Sequence, residues 1–327
     1  MNQLPIWAAS GQPLLILSFP VAGMLGSTVQ DMVTDAASQA AAIREVKNRF
    51  PDQAALVGLM DLSLEAEAFG CPVRFTPDEV PTVTGPVVST RQEAESLQIP
   101  DLLTARIPVT LEALKQVRAS QPQEPLLAGC IGPFSLAGRL ADPTQILMMP
   151  VTDPEMLDIL LEKSAAFLTE LLRLYKEAGC NGVIMAEPMA GLMSPAMNRK
   201  FVLPWLQNII SRVQDDDFSV ILHNCGPSAA RCWKVLQESG AAAYHFGNAV
   251  DIAKILETSG QVPVYGNLDP VKLVSETPET IARLTRELIQ TCSRYPMWRL
   301  SSGCDIPAAA SMDNLQAVFD TWNETCS

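Results

Sequence analysis

The stretch Phe218-Ser219-Val220-Ile221-Leu222-His223-Asn224-Cys225-Gly226 joins an apolar, β-prone run to a histidine, a cysteine and a glycine. In extended backbone, residues i and i+2 project to the same side, so one metal ion could touch both His223 and Cys225. Seven other short apolar runs share this form, at 13–19, 54–60, 125–131, 182–186, 241–246, 262–265 and 297–301. Helical periodicity fills most of the gaps, at 31–50, 62–69, 110–120, 154–178, 195–213, 228–239, 250–258, 278–292 and 313–322. Short buried strands alternating with helices predict a parallel sheet, and the count of eight predicts a closed (β/α)8 TIM-type barrel. An open doubly wound sheet is the other arrangement this alternation allows. The segment 71–108, broken by repeated prolines, predicts a loop elaboration at the barrel mouth alongside an N-terminal one. Residues 1–327 are expected to form one domain.

Composition narrows the function. Hydrophobic residues make up 48% of the chain and charged residues 18%, enough for a large core. The formal net charge is −13, with no basic cluster, which predicts no nucleic-acid partner. The first residues lack a charged region followed by a long apolar segment, and Ser18, Pro20 and Gly23 interrupt the run from 13 to 25. Neither a secretory leader nor a membrane span is expected, and the protein is expected in the cytoplasm. Eight scattered cysteines read as free thiols. Glycine-rich phosphate loops of Rossmann or Walker type are absent from the strand ends, which argues against a nucleotide fold.

Barrel enzymes build their sites at the carboxyl ends of the strands. In this sequence Asp61, Glu187, His223, Cys225, Asn267, Asp269 and Cys304 all fall at such ends. Cys304, in Leu300-Ser-Ser-Gly-Cys-Asp-Ile-Pro307, completes a Cys/Cys/His set of the kind that holds zinc with one position open. For Asp61, Asn267 and Asp269 substrate or cofactor contact competes with turn and helix-cap duty. His245, inside Tyr-His-Phe, reads as a core or mouth residue rather than a ligand.

His-Asn-Cys-Gly, Gly-Asn-Leu-Asp-Pro, Ser-Gly-Cys-Asp-Ile-Pro, Gly-Pro-Phe-Ser-Leu-Ala-Gly and Asp61-Leu-Ser-Leu-Glu-Ala-Glu-Ala-Phe-Gly70 together resemble the uroporphyrinogen-decarboxylase superfamily. Within it the chain looks like the zinc-dependent corrinoid methyltransferase branch, typified by methylcobamide:coenzyme M methyltransferase. The resemblance implies His223, Cys225 and Cys304 as zinc ligands. It also implies a small thiol substrate and a methylcobamide carried by a separate corrinoid protein. Glu187 is then a candidate to hold the open metal position or accept the thiol proton, against the plainer reading of a carboxylate bonded to loop amides. Porphyrin decarboxylases of the superfamily carry an arginine-rich N-terminal segment, whereas Phe19-Pro-Val-Ala-Gly-Met-Leu25 has no arginine. Two other readings stay open: a porphyrin-type decarboxylase, and a non-catalytic zinc barrel that binds a corrinoid protein. Arg74, Arg139 and Arg199 are candidates for an anionic group on the acceptor.

Overall fold

A computed structural model describes residues 5–326, so the extreme N-terminus considered above, and Ser327, lie outside the described residues. The main sheet consists of β1 (Leu56–Val57), β4 (Leu126–Ile131), β5 (Gly182–Ala186), β6 (Ser219–Asn224), β7 (Ala243–Phe246), β8 (Val264–Leu268) and β9 (Trp298–Ser302), in that spatial order. Every neighbouring pair is parallel. The loop elaboration at 71–108 contains a small antiparallel pair, β2 (Val73–Arg74) with β3 (Thr82–Val83), and the short helix Arg91–Ser96.

Among the described residues seven strands form the main sheet, where eight apolar runs predicted eight. The first run makes no ladder and passes into a short 3-10 turn at Phe19, and residues 13–17 close the barrel by other means. Leu14 N donates to Leu300 O of β9 at 2.9 Å, and Ala54 N donates to Pro13 O at 2.8 Å. The buried Gln53 amide supplies both remaining bonds to Leu15, accepting from its N at 3.0 Å and donating to its O at 2.7 Å. Pro13 has no N–H to give, and side chains do the pairing that a ladder would have done. The barrel is thus of the (β/α)8 TIM type, with residues 13–17 in the eighth place.

Alternation sorts the strand residues between two apolar clusters. Leu14, Ile16, Val57, Leu127, Ile184, Ile221, Ala243 and Tyr265 pack together inside the barrel. Their neighbours Leu126, Val183, Val220, Leu222, Tyr244, Phe246 and Val264 pack outward with the helices. Moving two residues along β6 from Ile221 therefore reaches His223, and two along β7 from Ala243 reaches His245, both on the inner side.

The helices depart from expectation where a side chain caps them. The run predicted at 31–50 divides into Val29–Thr34 and Ala36–Arg49 because Asp35 turns extended and its carboxylate accepts from Ser38 N. Pro204 lies in the first turn of helix Leu203–Val213, where a missing N–H costs little, and a π turn at Asn198–Val202 precedes it. Pro133 and Pro143 likewise begin two helices, Pro133–Leu140 and Pro143–Thr152, that the periodicity did not reveal. Among the described residues no helix is long and apolar enough to cross a membrane.

Glu65, on helix Leu64–Ala68, is wholly buried; Oε1 accepts from Ile131 N at the end of β4 at 3.1 Å, and Oε2 has no partner among the described residues. Burial pushes this carboxyl from 4.5 up to about 7. A raised acid contributes stability that is complete below the unfolded value and lost as pH rises through the folded one. Urea unfolding should therefore show stability falling between about pH 5 and pH 8, and Glu65→Gln should lessen that fall by on the order of 1–3 kcal/mol. Equal pH slopes in the two proteins would contradict this account.

Candidate metal centre

His223 is the penultimate residue of β6, Cys225 follows that strand's end, and Cys304 lies two residues beyond β9. Parallel strands bring all three to one rim. One donor atom from each, a ring nitrogen of His223 and the Sγ atoms of Cys225 and Cys304, lies within 4.8 Å of the others. Cys304 Sγ stands 3.7 Å from His223 Nε2. Metal–sulfur and metal–nitrogen bonds of about 2.3 and 2.1 Å, arranged tetrahedrally, place two such atoms ~3.5 Å apart, close to the Cys304–His223 separation.

The chain around Cys225 is fixed by close packing. Asn224 turns it: Nδ2 donates to Glu187 O at 2.7 Å, and Oδ1 accepts from Gly226 N at 2.9 Å. Gly247, after β7, passes so near that a methyl group there would sit 2.7 Å from Cys225 Cβ. Only glycine leaves room for the cysteine.

The two thiols shift each other's titration in opposite directions. The hydrogen bond from Cys304 pulls Cys225 down to about 7 against the opposing effect of burial. The same bond, with burial, pushes Cys304 up to about 12. The pair thus gives up its first proton near neutral pH and holds the second, the behaviour of coupled sites.

Behind His223 lies a buried chain of hydrogen bonds. Its Nδ1 is 2.7 Å from Nδ1 of His245, the ring that the sequence suggested as a core or mouth residue. His245 Nε2 is 2.8 Å from Ser301 Oγ, and the Ser301 hydroxyl donates to Leu14 O. Burial holds His245 well below the usual imidazole range, so it is neutral.

The remaining predicted residues lie elsewhere. Glu187 is wholly buried, and its carboxylate accepts from Phe134 N at 2.9 Å, Ser135 N at 2.8 Å and the Ser135 hydroxyl at the start of helix Pro133–Leu140. The structure does not bring it into the group of close donors. Its carboxyl is pushed up to about 7 by burial, with those hydrogen bonds pulling the other way. Asp61 is tied to the guanidinium of Arg106 and to Ser63, and Arg106 also reaches Glu67 at 2.6 Å. Asn267 donates to Gly247 O and Val250 O at 3.0 and 2.7 Å, and Asp269 accepts from Val271 N at 3.0 Å. These last two share an open cavity of about 250 Å³ with Asn248 and Lys272. Arg199 is exposed and forked onto Glu238. Asp305, quoted in the Cys304 motif but given no role, has one buried carboxylate oxygen without a partner among the described residues. Burial and the adjacent Cys304 hold its carboxyl well above the ordinary range.

A parallel barrel with two cysteines and a histidine converging at its carboxyl rim places the chain among the α/β-barrel proteins. The particular family is plain from sequence: the chain belongs to the uroporphyrinogen decarboxylase (URO-D) family, whose profile matches residues 4–325. It is 26% identical to the methylcobamide:CoM methyltransferase MtbA of Methanosarcina acetivorans over 265 residues, 80% of this chain and 76% of that one. Identity is 28% to a methylated-thiol–coenzyme M methyltransferase of Methanosarcina mazei over 272 residues, 81% of this chain and 71% of that one. A uroporphyrinogen decarboxylase of a Geobacter species is 27% identical over 243 residues, covering 72% and 70% of the two chains. Among solved structures, a methyltransferase from Methanosarcina mazei superposes with a TM-score of 0.87 over 98% of both chains at 22% identity, which shows the shared fold.

All eight cysteines are free, and the seven other than Cys225 have thiols raised above their ordinary value. With metal removed by a chelator, limiting iodoacetamide at about pH 7 should therefore alkylate Cys225 first, roughly tenfold or more ahead of Cys326. Peptide mass spectrometry reads the order. Preferential labelling at Cys326 or Cys304 would show that Cys225 is not the low-pKa member of the pair.

Proposed function

We propose that this protein is a zinc-dependent methyltransferase that moves a methyl group from a methylcobamide, carried on a corrinoid protein, to a small thiol such as coenzyme M. The observation that carries this reading is the convergence of His223, Cys225 and Cys304 within 4.8 Å at the barrel rim. It is supported by relatives whose names include methylcobamide:CoM methyltransferase. The free state of all eight cysteines is consistent with a reducing cytoplasm, and residues 1–327 would act as one domain.

In this reading His223, Cys225 and Cys304 would hold zinc, which would supply Lewis acidity toward a substrate thiol at neutral pH. Two thiolates and a neutral imidazole leave the centre near zero charge, so the substrate sulfur stays electron-rich. Cys225, already poised to lose its proton near neutrality, reaches the binding form easily. The substrate sulfur takes the methyl carbon, and the electron pair of the broken cobalt–carbon bond leaves with the cobalt. Glu187 keeps the β5 and β6 ends in place: its N donates to His223 O at 2.9 Å while its carboxylate holds the helix at Phe134 and Ser135.

The decarboxylase reading draws on the Geobacter relative. Against it, residues 19–25 form two short 3-10 turns with Met24 and Leu25 exposed, an apolar surface with no cation to meet a polycarboxylate. Incubation of zinc-loaded protein with methylcobalamin and coenzyme M or homocysteine should bleach the methyl–cobalt spectrum in a zinc-dependent way. CO₂ release from uroporphyrinogen without demethylation would favour the decarboxylase, and neither reaction would leave the non-catalytic barrel.

Metal analysis of variants gives a second check. Cys225→Ala and Cys304→Ala should lose most of the zinc and the activity together, and His223→Ala should weaken binding similarly. Glu187→Gln should keep zinc near one per chain. Full occupancy in both cysteine variants would place the ion elsewhere.

A further inference from the structure

We propose that His245 is a positioning residue for the metal centre: it fixes His223 as the Nδ1–H tautomer, so that the Nε2 lone pair of His223 faces Cys304 and the ion. The inference rests on the reading of His223, Cys225 and Cys304 as metal ligands.

Its direction is set at the far end of the chain. Leu14 O is a carbonyl and can only accept, so the single proton of the Ser301 hydroxyl is spent there. The Ser301 oxygen then meets His245 Nε2 with a lone pair at 2.8 Å and accepts that ring's N–H. A neutral imidazole carries one N–H, which leaves His245 Nδ1 as an acceptor. Two imidazole nitrogens 2.7 Å apart need one proton between them, and it therefore sits on Nδ1 of His223. The Nε2 of His223, 3.7 Å from Cys304 Sγ, is left with its lone pair free. Reversing the links would turn the Ser301 proton toward His245 and take it from the Leu14 carbonyl.

Packing makes the arrangement rigid. His223, His245 and Ser301 are 2%, 0% and 0% exposed, too enclosed for water to substitute for a missing partner. They come from β6, β7 and β9, and the register sets His223 directly beside His245. Residues 13–17, which close the barrel, thereby also orient a ligand. Metal-bound histidines ordinarily donate their second N–H to a carboxylate, a backbone carbonyl or water. Here the acceptor is a neutral ring, so no negative charge is added behind the ligand, and the two thiolates set the charge of the centre.

The chain has only two histidines, which makes the test direct. In metal-free protein labelled with 15N-histidine, long-range proton–nitrogen spectra should show one ring protonated at Nδ1 and the other at Nε2. A scalar coupling should join the two Nδ1 atoms. His245→Gln removes one set and assigns the pair. Two Nε2–H rings, or a doubly protonated ring at neutral pH, would overturn the proposal. On metal titration, His245→Phe, which fills the space without accepting, should lower zinc affinity about 10–100-fold. His245→Gln, whose amide offers an oxygen to His223 and an N–H to Ser301, should recover most of that loss. Cobalt(II)-substituted spectra should show altered ligand-field bands in His245→Phe and near-native ones in His245→Gln. Equal affinity and spectra in wild type and His245→Phe would refute the positioning role. Should His245→Phe fail to fold, the wild-type tautomer pattern still decides. Failure of the wild type to take up zinc or cobalt would instead remove the metal reading, an outcome seen separately because the tautomers are read without metal.

Discussion

Parallel pairing in a closed sheet is the constraint on which the site depends. Because every neighbouring pair of strands runs the same way, all the carboxyl ends open on one rim. Cys225 and Cys304 lie far apart in the sequence yet meet as neighbours there. The interior cluster of Leu14, Ile184, Ile221, Ala243 and Tyr265 holds the staves at a fixed distance. The next inward layer is polar, and that change from apolar filling to His223, His245 and Ser301 marks where packing ends and chemistry begins.

Much of this architecture was legible because parallel strands are covered on both faces and read as unbroken apolar runs. Six of the eight predicted runs became full strands with small shifts of boundary, and the run at 54–60 kept only Leu56–Val57. β6 and β8 extend past their apolar portions, taking in His223 and Asn267, since ladder bonds do not require apolar side chains. The first stave was misread in kind: beside scattered backbone bonds to Leu300 and Ala54, it is held by the Gln53 and Ser302 side chains, which no local pattern announces. The two helices between 133 and 152 were hidden by prolines that mark helix starts as readily as breaks.

For the site, local spacing placed the two cysteines and His223 at one rim, since alternation and strand direction are both sequence properties. The carboxylates were harder. Glu187 and Asp61 stand at strand ends as expected, but their partners Ser135 and Arg106 are 52 and 45 residues away. Such contacts are set by tertiary packing, and they turn both side chains toward holding loops and helices. His245 was hidden by its neighbours: Tyr244 and Phe246 face Trp233 on an outer helix, whereas the histidine between them faces inward. The signal was present in the strand alternation, because Ala243 and His245 repeat the inward pattern of Ile221 and His223.

The account turns on whether the two sulfurs and one nitrogen at the rim bind a single ion. X-ray absorption at the zinc edge of the loaded, substrate-free protein measures that ligand set directly. Two sulfur scatterers at about 2.3 Å, one imidazole nitrogen near 2.0–2.1 Å and one further light atom are the result expected. A shell of oxygen and nitrogen alone, or four sulfurs, would contradict it.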